Sequence, residues 1–162
     1  ELNLSKNING KTMIKKIGEL LPQEQKWLAK AVVSIILADG IVEEKQISFL
    51  KKLFRSFLSE EPKETLNEIS TMLKQKKTPQ LDKISVDKLD NLIFILDVLT
   101  ASVFANGKKL RQETEKYFEA GRKLGLEVGT LSYRLSLEAE KERVKRKLSV
   151  VKEEIGEFFH LS

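Results

Sequence analysis

Three carboxylates crowd the stretch LADGIVEEKQISFLKKLF: Asp39, Glu43 and Glu44. Further along, FANGKKLRQETEKYFEAGRKLGL carries Glu113 and Glu115 behind a similar corner. Hard cations such as Ca²⁺ and Mg²⁺ want several oxygen ligands, two or more of them carboxylates. Metal binding through Asp39, Glu43, Glu44 and Glu113 is therefore the chemistry these residue types could serve. The spacing is not that of an EF-hand, because Ile35 and Leu37 stand where alternating ligands would be. Glu43 and Glu44 also suit the positive start of a helix with no metal involved. His160, the only histidine, lies among Phe158, Phe159 and Leu161 without a visible catalytic partner. Cysteine is absent, which excludes disulfides and thiolate metal sites. There is neither a Gly-rich phosphate loop nor a Ser-centred nucleophile elbow. The chain is expected not to be an enzyme.

The elements that must position these acids are helices. Of 162 residues, 41% are hydrophobic and 33% charged, with 3 Pro and 8 Gly, a globular composition rich in helix formers. No period-2 alternation is sustained, so no sheet is predicted. The reading is all-α: a single domain of about seven helices over 1–162, with its core at 23–126 and a long terminal helix over 127–162. Met13, Ile14, Ile17, Leu20 and Leu21 mark a short amphipathic helix before Pro22. A helix apolar almost all round, and therefore buried, is expected from Gln23 to about Ala38, with Trp27, Val32 and Ile36 in the core. After Gly40 a third helix turns Ile47, Phe49, Leu50, Leu53, Phe54 and Phe57 inward. The next has Glu60, Glu61 and Glu64 near its positive start and Leu66, Ile69, Met72 and Leu73 along its stripe. KKTPQLDKIS reads as a linker, with Ser85 as the N-cap of the next helix. Leu89 to Ala105 is again apolar nearly all round. Beyond Gly107, a helix burying Leu110, Tyr117, Phe118, Gly121 and Leu124 stops at Gly125.

One corner is thus turned twice. Ala38-Asp39-Gly40 superposes on Ala105-Asn106-Gly107 at a shift of 67, with a buried helix before and an amphipathic helix after. Phe49-Leu50 then matches Tyr117-Phe118, one residue later in the second copy. Two such hairpins could bury their apolar faces on each other about a pseudo-twofold axis. Asp97, inside an apolar run, is equivalent to Lys30. The two could pair across that axis, but a narrow solvent-facing strip of their helices is the simpler explanation.

ILADGIVEEKQISFLKKLF, doubled by the second corner, resembles the signature of the TerB-like tellurite-resistance family over about Gln23 to Leu126. The resemblance implies an all-helical interaction module, found alone, in membrane-linked stress-response systems or beside J-domains, with metal binding proposed through acidic positions. Asp39 keeps the first of these acids. Gln46 replaces the usual Glu, Asn106 replaces the second Asp, and the second Glu falls on Glu113 or, with an insertion, on Thr114. Weak binding of Ca²⁺ or Mg²⁺, or none, is expected from a set eroded in this way.

The terminal segment differs from the rest. Leu137, Val144, Leu148, Val151, Ile155 and Phe158 follow steps of seven, four and three, a heptad-like seam that Lys141 interrupts. KERVKRK brings Lys141, Arg143, Lys145 and Arg146 together as a candidate partner-binding surface. It suits a helix packed with its basic face in water, or one docking through 137–158. A net charge of +5 made of 29 basic and 24 acidic residues is not a nucleic-acid footprint, so nucleic acid is an unlikely partner and remains only the weakest functional alternative. No apolar run approaches the ~20 residues that span a bilayer. The lack of Cys fits the reducing cytosol, where the chain is placed. It begins with Glu1 rather than Met, as a piece of a longer protein would. A non-catalytic protein-interaction or scaffold module in a bacterial stress-response or envelope-linked system is expected, with an unidentified protein partner and no cofactor. The rival is a divalent-metal-binding or metal-sensing domain using the acids at the two corners.

Overall fold

The computed structural model describes residues 17–55, 64–107 and 111–161, and six long helices stand among them. They are α1 (Pro22–Ile36), α2 (Glu44–Arg55), α3 (Glu64–Gln75), α4 (Leu89–Val103), α5 (Arg111–Lys123) and α6 (Val128–Leu161). Residues 17–19 are helical as well, and no strand occurs among the described residues. The chain divides into two units, 1–128 and 129–162. Met13, Ile14, Phe57, Glu60, Glu61 and Leu110 lie outside the described residues, as do the side chains of Phe54, Glu64 and Leu66.

In the first unit α1 is the central strut. Leu28, Ala29, Ala31, Val32, Val33, Ile35 and Ile36 are all fully buried, so this helix meets neighbours all round, as its sequence demands. It packs against α4 and α5, and on its other sides meets α2 and α3. Pro22 at the first position fixes φ where the missing N–H costs nothing. Trp27 is buried, and its indole N–H donates to the carbonyl of Asp82 at 2.8 Å. Within α4, Ile95, Val98, Leu99 and Val103 fill the facing layer. The Thr100 hydroxyl lies 3.1 Å from the Tyr117 hydroxyl, which ties α4 to α5 where a buried phenol needs a partner.

Several features differ from the sequence expectation. Ser85 is not an N-cap: 85–88 has no helical structure, Lys88 is extended, and α4 starts at Leu89 after Lys88. Leu89 itself is 69% exposed and Phe104 only half-buried, because the buried stretch of α4 begins at Asn91 and ends at Val103. Ile47 is exposed, since the inner face of α2 runs through Gln46, Leu50 and Leu53. Ile47 instead lines an open apolar groove with Val42, Leu50 and Leu73. Asp97 is buried rather than solvent-facing, and Lys30 reaches Glu68, 3.6 Å away. The stretch 76–88 is non-helical but held down. Pro79 and Leu81 are buried, and the N–H of Ile84 donates to the carbonyl of Lys123.

The second unit is α6, 34 residues long. Leu131, Leu135 and Glu138 are buried, and from Arg143 on every described residue is exposed except Gly156.

Candidate functional site

Both corners are built alike. Leu37 to Asp39 and Phe104 to Asn106 unwind the ends of α1 and α4 into turns. Gly40 and Gly107 then take φ of +76° and +82°, a left-handed conformation that a side chain would strain. Their N–H groups donate to Leu37 and Phe104 carbonyls, each at 2.9 Å. At the first corner Asp39 Oδ1 accepts from the N–H of Ile41 at 3.0 Å, an Asx turn that steers the chain toward α2.

The helices α1 and α2 are started by their third residues. In α2 the Gln46 side chain reaches back and accepts from the N–H of Glu43 at 2.8 Å. In α1 Glu24 does the same for Leu21 at 2.9 Å. Each satisfies a backbone donor that the first turn leaves open. The third residues of the other two helices, Asn91 of α4 and Glu113 of α5, meet these capping groups. Asn91 donates to Glu24 at 3.3 Å, and Gln46 Nε2 donates to Glu113 Oε2 at 2.5 Å. Both bonds join residues 67 apart, the interval that separates Gly40 from Gly107. The two hairpins also stay in step further on, because Leu50 and Tyr117 are both buried while Phe118 is only half-buried. No extra residue is needed before the aromatic pair, and Glu113, not Thr114, stands opposite Gln46.

Glu113 is the unusual group. It is fully buried, and its Oε1 has no hydrogen-bond partner among the described residues. Burial, with Asp39 and Glu43 adding negative charge nearby, pushes its carboxyl up to about 7 against the opposing hydrogen bond from Gln46. A carboxyl in that position is half protonated near neutrality. Sequence reasoning chose Glu113 for its charge but saw nothing in Gln46 except a lost acid. The signal in reach was the capping spacing, Glu43 to Gln46, which predicts a side chain folded back on its own helix.

The other chosen acids are not gathered around Glu113 as a ligand set. Glu43 and Glu44 are exposed at the start of α2, and Asp39, half-buried, has one oxygen committed to Ile41. Among the described residues no three His, Cys, Asp or Glu side chains are placed to hold a metal. Asp39 and Glu113 each have one oxygen engaged in a hydrogen bond, to Ile41 and Gln46, which leaves fewer of their oxygens for a hard cation. The basic candidates stand on α6. Lys141 is half-buried and lies 3.5 Å from Glu138, which also holds Arg134 at 3.1 Å. Arg143, Lys145 and Arg146 are exposed. Compared with known proteins, the chain matches no family model, no curated protein and no solved structure.

Proposed function

We propose that this chain is a non-catalytic protein-interaction module, similar in plan to TerB-like domains and working in a bacterial stress-response or envelope-linked setting. The observation that carries the reading is α6. Val144, Leu148, Val151, Ile155 and Phe158 are all about half exposed or more, on one helix, in seam spacing. Apolar side chains repeated at that interval serve a partner helix. The twofold relation of the two hairpins belongs to the same reading, and the two hydrogen bonds between residues 67 apart support it. A photo-cross-linking residue at Val151 in the chain, expressed in its native host, tests it. A discrete adduct that disappears with Leu148→Glu is expected. No adduct from a folded chain would reject the module.

A divalent-cation reading has one observation in its favour, the bare Oε1 of buried Glu113 beside the negative charge of Asp39 and Glu43. Calorimetric titration of the native chain with Ca²⁺ and Mg²⁺ decides it. Little or no heat is expected. Tight stoichiometric binding that Asp39→Asn removes would make the cation the leading reading.

A further inference from the structure

The seam of α6 has an occupant that its own charges describe. KERVKRK, 141–147, holds five bases and one acid, while KEEIGE, 152–157, holds three acids and one base. Ion pairs within a helix form between residues three or four apart. Lys147 and Glu154 are seven apart, two turns along the helix, and cannot reach each other. Accordingly Arg146, Lys147, Glu153 and Glu154 make no ion pair among the described residues, whereas Lys145 and Lys141 find Glu142 and Glu138 one turn away. The basic and acidic halves of the helix are complementary but separated along the axis. A second helix running the opposite way brings them together.

We propose that α6 pairs antiparallel with α6 of a second copy of this chain, about a twofold axis passing between Ser149 and Val150. In that register Val144 faces Ile155 of the second copy and Leu148 faces its Val151. The same contacts recur on the other side of the axis, as an isologous interface requires. Lys147 then flanks Glu154 of the second copy, twice. Lys141, the one polar seam residue, meets Phe158 and can lay its aliphatic stem along the ring while its ammonium stays in water. Lys145 opposite Lys152, which the axis likewise repeats, is the one kind of like-charged contact, and it keeps the association reversible. A parallel pair is worse: Lys141 would stack on Lys141, and the basic block would lie along the basic block. Sliding the antiparallel register by one heptad sets Lys147 against Lys147 or Glu154 against Glu154. Charge therefore selects one direction and one register.

Pairing of this kind rests on the interaction-module reading and names what occupies the seam, and the two can fail separately. The chain has no cysteine, so single introduced thiols report cleanly. Lys147→Cys and Glu154→Cys chains, mixed and mildly oxidised, should give the mixed disulfide, with little from either alone. Sedimentation equilibrium of the full chain should show a concentration-dependent dimer that Leu148→Glu abolishes. Glu154→Lys should weaken it by about tenfold, since two symmetric pairs turn from attraction to repulsion, and adding Lys147→Glu should restore it. A monomer at all concentrations, homodisulfides from Lys147→Cys alone, or a dimer indifferent to Leu148→Glu would each overturn the proposal. If a different protein is still trapped at Val151, the module reading survives that loss.

Discussion

Glu24–Asn91 and Gln46–Glu113 are the same pair built twice, a carboxylate against an amide between the third residues of two helices, yet their surroundings differ. Glu24 Oε1 receives two donors, the N–H of Leu21 and the amide of Asn91. Its carboxylate caps α1 and also holds α4. Glu113 receives one donor, and its other oxygen meets none among the described residues, while Asp39 and Glu43 add negative charge nearby. In the first pair the acid sits on the helix it caps. In the second the amide does the capping, and the acid is the group capped against. Which partner takes the cap decides whether a buried carboxylate is stabilised or left under strain of charge.

Four substitutions probe that contrast. Ile36→Ala leaves a cavity in the buried core around α1 and should cost about 2–5 kcal/mol, equally at pH 4 and pH 8. Chemical denaturation at the two pH values checks it; a pH-dependent loss would mean that the core and the Glu113 pair are coupled. Glu24→Ala orphans the N–H of Leu21 and the Asn91 amide together and should cost about 2–4 kcal/mol. A loss much below that would show that water replaces the cap.

Glu113→Gln should act in the opposite direction. Its carboxyl titrates at about 7 in the folded chain against an ordinary 4.5. Between those values the folded state holds a proton that the unfolded state has released, so stability falls as pH rises from about 4.5 to 7 and is level above. The amide removes that fall. It should stabilise the chain by up to about 3 kcal/mol at pH 8 and by nothing below pH 4. Parallel stability curves for the two chains across that interval would show that Glu113 is not the titrating group. Asp39→Asn is the mildest change. The amide oxygen can still accept from Ile41, and the loss of one nearby charge should lower the titration of Glu113 and add less than about 1 kcal/mol at pH 8. Carboxyl chemical shifts tracked through the titration read it directly.

The helices, the two glycine corners and the burial of α1 were legible because each rests on local signals, the 3.6-residue period and the left-handed glycine. The ends of α4 were not. Ser85 carries the right side chain for an N-cap, but Ile84 is tied by its backbone to Lys123, and after that long-range bond the helix begins only at Leu89. Ile47 misled because an apolar residue at helical spacing can line a groove as readily as a core. At the corner, Glu113 was visible as an acid and Gln46 only as a missing one. Their contact depends on two helix starts meeting 67 residues apart, and no local pattern reports that distance. The seam of α6 was readable as spacing, whereas the exposure of its apolar residues was not.

The indole of Trp27 has a use outside stability. It is the only tryptophan in the chain and is bonded to Asp82, in the stretch whose Ile84 is bonded in turn to the end of α5. The fluorophore is thus fastened to the tether joining the two hairpins. Lifting that tether would wet the indole before the helices melt, so its emission should redden while helical ellipticity holds. The same opening would free the backbone at Lys83 and Lys88, whose side chains are already exposed, for trypsin. This protein therefore carries its own optical gauge of the interval between a loosened chain and an unfolded one.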